Sequence, residues 1–154
     1  MTSVDLGWLE IERARYETLL DSLTGLPRWG LLIDRTAVAI ARAERSGTEV
    51  AVFVVEQPHF ADRAYDVLRV VEALQDRLRP DDTLARIGEQ RFAVVCNDMR
   101  ADEDAAQVAR RLVYDSGLTC AGLGVALGTK DERPEQVIAR ALLAALPHPP
   151  EPPA

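Results

Sequence analysis

The sequence is short of cysteine, histidine and aromatic residues and carries no excess of positive charge, and each shortage removes a class of protein. Two cysteines, Cys96 and Cys120, occur in 154 residues, both inside apolar segments. A disulfide-framed secreted domain needs more of them, so both read as small, reduced core residues. The two histidines, His59 and His148, stand far apart, and no Cys/His spacing suits a metal centre. No bound metal and no cofactor are expected. No apolar run approaches the ~18 residues of a membrane span; the longest, such as Val50 to Val55, are strand-sized. Met1 to Asp5 lack the basic-then-apolar pattern of a signal peptide, which makes the cytoplasm the expected location. Acidic residues outnumber basic ones by 25 to 18, for a net charge of −7. Gripping a phosphate backbone non-specifically takes a basic field, so general nucleic-acid binding is not expected. A local arginine cluster for a small anion is still compatible with the balance.

What is present is the composition of one globular domain: 47% hydrophobic and 28% charged residues. A chain of this length buries roughly two thirds of its unfolded surface and needs no staple. Residues 4–20, rich in Leu, Glu, Arg and Ala, predict an N-terminal helix. Trp8, Leu9, Tyr16, Leu19 and Leu23 give it apolar surface for self-association, although Glu12 interrupts the a/d seam. Gly25 and Pro27 punctuate the chain before a second helix with apolar positions Leu31, Leu32, Val38 and Ile40, stopped by Gly47. Val50–Val55 predicts a strand covered on both faces. A third helix is expected over roughly 62–78, with Val67, Leu68, Val71, Leu74 and Leu78 on one face. Two short strands, Leu84–Ile87 and Arg91–Cys96, flank a Gly88-Glu89-Gln90 hairpin turn. A helix from about Asp102 to Tyr114, a strand over Leu118–Leu127 and a helix from Pro134 to Leu146 complete the order. Helices alternating with strands, plus one hairpin, indicate an α/β (α+β) layered sheet. Residues 147–154, Pro-His-Pro-Pro-Glu-Pro-Pro-Ala, predict an extended, disordered tail.

Three segments together carry a family resemblance. Asp21-Ser22-Leu23-Thr24-Gly25-Leu26-Pro27 resembles the opening motif of GGDEF domains, the diguanylate cyclases. Leu84 to Val94 is similar to the strand–turn–strand that bears their signature, and the strand ending at Glu56, followed by His59-Phe60, to their metal-binding strand. The resemblance covers about residues 21–146. It implies a palm-like, mixed five-stranded sheet flanked by helices, and a family chemistry that joins two GTP molecules into cyclic di-GMP. That chemistry needs two carboxylates to hold magnesium against triphosphate and a glycine pair at the hairpin tip for close backbone approach.

The chain departs from the pattern at those places. The signature reads Gly88-Glu89-Gln90-Arg91-Phe92: Glu89 stands for the second glycine, Gln90 for the acidic metal ligand, and Arg91 for an acid. Glu56 keeps one carboxylate of the metal strand and Pro58 replaces the other. The segment between Phe60 and Val67 lacks the family's nucleotide-holding loop. The expectation is a chain with no catalytic residues and no diguanylate cyclase activity.

A second family feature survives. Arg79-Pro80-Asp81-Asp82 matches the Arg-x-x-Asp inhibitory motif, five residues before Gly88. The resemblance implies cyclic di-GMP binding at Arg79 and Asp82, with a further arginine from the following helix. Arg111 matches that place, with Arg110 as the alternative. A guanidinium can donate to the O6/N7 edge of guanine or to phosphate. Two functions follow as expectations: an inactive GGDEF-like domain that is a cyclic di-GMP receptor and signals through a separate protein effector, or a ligand-independent interaction or homodimerisation module.

Overall fold

In the computed structural model, residues 19–58, 63–100, 104–118, 120–128 and 131–145 are described. The expected helix over 4–20, the tail over 147–154 and the stretch around His59 and Phe60 lie outside them, apart from Leu19 and Leu20.

Among the described residues, four helices and four strands follow in the order α1 (Trp29–Ser46), β1 (Glu49–Glu56), α2 (Arg63–Gln75), β2 (Thr83–Arg86), β3 (Arg91–Met99), α3 (Ala105–Asp115), β4 (Gly122–Gly128) and α4 (Pro134–Ala145). The strands form one antiparallel sheet in the order β2-β3-β1-β4. The described sheet therefore has four strands rather than the mixed five implied by family resemblance. The sequence itself carries only four strand-like apolar runs, and no two neighbours are joined in parallel.

β1 is central because it is apolar on both sides. Val50, Val52 and Val54 face one helical layer, while Ala51 and Phe53 face the other. The first layer holds α1 and α4, with Leu32, Ala39, Val137, Ile138 and Ala141 against the sheet. The second holds α2 and α3, with Val67, Leu74, Ala109 and Leu112. Alternate residues thus serve two cores, as period-2 geometry requires.

Helix faces and ends correct the sequence reading in places. In α1 the buried stripe is Leu32, Thr36, Ala39 and Ala43, so Val38 faces outward. Thr36 is tolerated inside because its hydroxyl donates to the Leu32 carbonyl at 2.7 Å. In α2 Leu68 is exposed while Val67, Val70, Val71 and Leu74 are buried. That helix ends at Gln75 and not near 78: Arg77 and Leu78 make i→i−3 bonds to Leu74 and Gln75, the tightening that commonly closes a helix. β3 runs on to Met99, past its expected end at Cys96, and β4 starts at Gly122. Gly47, at φ +69°, closes α1 in the left-handed conformation.

Two devices fix the sheet ends. The register of β3 against β1 slips by one residue between Ala51↔Cys96 and Glu49↔Met99. Asp98, at φ +52°, takes up the extra residue and accepts a hydrogen bond from Thr48 Oγ1 at 3.2 Å. This is a β-bulge at Asn97–Asp98. At the other edge, β4 lies almost on the backbone of α4. A Cβ built on Gly124 would stand 1.9 Å from the Ala141 carbonyl oxygen, and one on Gly122 2.0 Å from that of Ala145. Among the described residues no helix is long and apolar enough to cross a membrane.

Candidate functional site

Two places gather the residues singled out in the sequence: the β2–β3 hairpin, and the turn that leads from α2 into β2.

The hairpin forms where the sequence places it. Arg86↔Phe92 closes the β2–β3 ladder, and the Ile87 amide donates to the Arg91 carbonyl at 3.0 Å. Gly88 and Glu89 are exposed at its tip. Its base is tied to the opening motif. Asp21 accepts from the Thr24 amide at 2.9 Å and the Thr24 hydroxyl at 2.8 Å, and both its oxygens accept from Arg86 Nη1, at 3.3 and 3.2 Å. Partial burial pushes the Asp21 carboxyl up. The Thr24 and Arg86 hydrogen bonds and the guanidinium charge outweigh it and hold the group below its ordinary value. Arg86 Nη2 also donates to the Glu89 carbonyl at 3.0 Å, and the Arg86 amide to the Pro27 carbonyl at 3.0 Å.

Arg91 and Glu56 are direct cross-strand partners at the end of the β1–β3 ladder. Arg91 Nε donates to Glu56 Oε2 at 2.5 Å, with the two side chains 30% and 18% exposed. The base at position 91 is thus bonded to the one carboxylate that the metal-binding pattern retains. Beside them Gln57 donates its amide to the Gln90 carbonyl at 2.8 Å. Gln57 Nε2 and Gln90 Nε2 are buried donors without acceptors. A divalent cation wants several free anionic oxygens. Here a guanidinium holds the carboxylate, and Gln90, a neutral amide, stands where the pattern has the second acid. Among the described residues, no group of three or more His, Cys, Asp or Glu is placed to hold a metal ion. These residues do not fit magnesium.

The second place is the turn after α2. The Asp82 amide donates to the Arg79 carbonyl at 3.0 Å, closing a four-residue turn with Pro80 at its second position. Arg79 therefore sits beyond the helix rather than at its end. Asp82 Oδ2 accepts from the Arg79 amide at 3.0 Å and from Arg79 Nε at 3.4 Å, and Oδ1 accepts from the Asn97 amide at 3.3 Å. Arg79 Nη2 donates to the Asn97 carbonyl at 2.6 Å. Asn97 lies on the bulge, so the irregularity in β3 aims its backbone at the turn. Burial lowers the Arg79 pKa, but the adjacent Asp82 carboxylate more than offsets this and raises it.

Exposure separates the two members of the motif. The Arg79 side chain is 50% exposed, that of Asp82 only 3%. Only Arg79 is open to solvent; the Asp82 carboxylate is used in holding the turn together. Arg79, Asp82 and Arg111 line one cavity of about 260 Å³ between the turn and α3, floored by Phe53, Cys96 and Met99. Arg111, rather than its neighbour Arg110, is the α3 arginine that lines it. Arg77 lines it too and donates to the Asp115 carbonyl. Arg77 is not singled out by the sequence reading; its place two residues before Arg79 is the available signal.

Comparison with known proteins places this geometry. The family model described as "Diguanylate cyclase, GGDEF domain" matches residues 18–141. Diguanylate cyclase DgcP of Pseudomonas aeruginosa is 33% identical over 94 residues, which is 55% of this chain and 14% of that protein. The chain thus spans a small part of that relative's length. A sensory box/GGDEF family protein from Caulobacter crescentus has a similar structure, with TM-score 0.69, 29% identity, and coverage of 82% of this chain and 95% of that one. The coiled coil and GGDEF domain of DgcB from Caulobacter crescentus, solved in complex with c-di-GMP, shares the fold with TM-score 0.68 and 22% identity, over 92% of this chain and 85% of that one.

Proposed function

The chain belongs to the GGDEF domain family of diguanylate cyclases, and from that premise we propose that it binds cyclic di-GMP without making it. The observation that carries the second half is the Glu56–Arg91 bond. The retained carboxylate of the metal strand is neutralised by the residue standing where the signature has an acid, and Gln90 and Pro58 supply no replacement. Without a metal to neutralise charge at the reacting phosphate, phosphoryl transfer loses its main electrostatic support.

The binding half is supported by the cavity beside α3, where Arg77, Arg79 and Arg111 stand around one concave surface. In this reading Arg79 and Arg111 meet guanine or phosphate oxygens. Asp82 is a positioning residue that holds Arg79 at the rim. The GGDEF structure of DgcB solved with c-di-GMP makes this ligand the first to try. A partner protein would carry the signal onward.

Calorimetric titration of the full chain with cyclic di-GMP tests the binding half. Arg79→Ala and Arg111→Ala should each cost about 1–3 kcal/mol, a tenfold to hundredfold weakening. Arg91→Ala should leave affinity unchanged. Incubation with GTP and magnesium or manganese should yield no cyclic di-GMP; robust turnover refutes the inactive reading. No heat at high micromolar ligand refutes the receptor reading. It leaves a ligand-independent interaction module, which the exposed Tyr65 and Leu68, one turn apart on α2, favour.

A further inference from the structure

A cavity of about 400 Å³ lies between the start of α1 and the β2–β3 hairpin. Arg28 and Trp29 line it from the helix, Arg86 to Glu89 from the hairpin, and Asp21 completes the lining. Its volume falls in the range of roughly 300–1,000 Å³ typical of small-molecule sites.

Three observations point to a ligand. First, Arg28 is exposed, and its side chain makes no hydrogen bond or ion pair among the described residues. Second, Arg86 Nε is a buried donor with no acceptor. The guanidinium cannot swing to relieve this, because Nη1 donates to Asp21 and Nη2 to the Glu89 carbonyl. A donor in that state carries a desolvation penalty that an acceptor on a bound group can remove. Third, Trp29 is 39% exposed beside these two guanidinium groups, a large apolar surface left in contact with water. The local field agrees with them. α1 opens without a side-chain cap and with no acid in its first turn, so its positive end faces no resident counter-charge.

Charge and shape then narrow the ligand. Arg28 and Arg86 Nε call for an anion with accepting oxygens, which a carboxylate supplies. The Asp21 and Glu89 carboxylates line the same cavity, so a second negative charge on the ligand meets like charge. That selects a monoanion over a phosphate monoester. Trp29 offers an aromatic face for a ring to stack on, and Ile87 adds apolar wall. We propose that this cavity binds an aromatic monocarboxylate, its acid group accepting from Arg28 and Arg86 Nε and its ring against Trp29. The site is separate from the Arg79 cavity and does not depend on cyclic di-GMP binding there.

Titration of the full chain with phenylacetate, followed by amide chemical shifts in NMR, tests it. Saturable shifts should centre on residues 28–31 and 86–89. Phenylacetamide keeps the ring and loses the charge, and acetate keeps the charge and loses the ring. Each should bind at least about tenfold more weakly. Phenyl phosphate, with its second charge, should also bind more weakly. Arg28→Gln, at an exposed position, should weaken phenylacetate by about tenfold to hundredfold. Trp29→Ala should weaken it by about twofold to tenfold. Arg79→Ala, in the other cavity, should leave it unchanged, so failure here is distinguishable from failure of the cyclic di-GMP reading. Absence of saturable shifts at millimolar phenylacetate overturns the proposal. So does equal binding of phenylacetamide, tighter binding of phenyl phosphate, or affinity indifferent to Arg28→Gln.

Discussion

A double-mutant cycle on Glu56 and Arg91 tests the feature on which the loss of metal binding is argued. The two residues oppose each other across β1 and β3 and share a 2.5 Å charge-assisted hydrogen bond. Fully exposed pairs contribute about 0.2–1 kcal/mol, whereas hydrogen bonds to charged groups shielded from water contribute about 1.5–3 kcal/mol. At 30% and 18% exposure the pair stands between these limits, and a coupling energy of about 1–2 kcal/mol is expected. Urea denaturation of the wild type, Glu56→Ala, Arg91→Ala and the double variant gives that energy directly. Melting midpoints should fall by about 2–4 °C per kcal/mol lost for a chain of this size. Arg91→Glu should be worse than Arg91→Ala, because it sets two carboxylates directly across the ladder. Magnesium should not raise the wild-type midpoint, since a cation that does not bind the folded state cannot stabilise it. Single losses that add to within about 0.5 kcal/mol would mean that the bond does not form in solution. The argument that Glu56 is withheld from a cation would then fail.

Three other outcomes follow from the geometry. Asp82→Ala leaves the amides of Arg79 and Asn97 without their acceptor, so it should lower stability by about 1–3 kcal/mol in urea titrations, as well as weaken cyclic di-GMP; a variant as stable as the wild type would contradict the buried role of Asp82. The folded-state pKa of Asp21 is held below its ordinary value, so its contribution is present above the usual aspartate range near pH ~4 and is lost as pH falls through the lowered value. Asp21→Asn should accordingly flatten the acid limb of the stability profile, and an unchanged limb would count against the Asp21–Arg86 tie. Gly124→Ala should cost about 1–3 kcal/mol or more through overpacking against α4, whereas Gly88→Ala, whose Cβ would stand 3.3 Å from that of Arg91, should be far milder; equal denaturation midpoints would refute the close approach.

Much of the architecture is local and therefore legible in the sequence. The valine run of β1, the glycine ending α1, the proline starting α4 and the polar tip after Ile87 each act within a few residues of themselves. What was hidden is what depends on distant partners. The spacing of Arg79 and Asp82 is visible along the chain, but the burial of Asp82 is not, because its acceptor duties are set by Asn97, fifteen residues away on a bulge. The replacement of an acid by Arg91 is plain in the sequence, while its bond to Glu56 needs the β1–β3 register. Val38 and Leu68 look like core residues by spacing; in each helix a neighbouring small or branched residue takes the inward position instead.

The Glu56–Arg91 bond also constrains how such a domain can change over generations. Returning an acid to position 91 alone would place like charges across the ladder. Removing Glu56 alone would strand a guanidinium half-shielded from water. Each single step back toward a cation-binding hairpin thus passes through a less stable chain before any metal site could repay the loss. The charges at positions 56 and 91 can therefore change without loss only together, and that mutual dependence works as a ratchet.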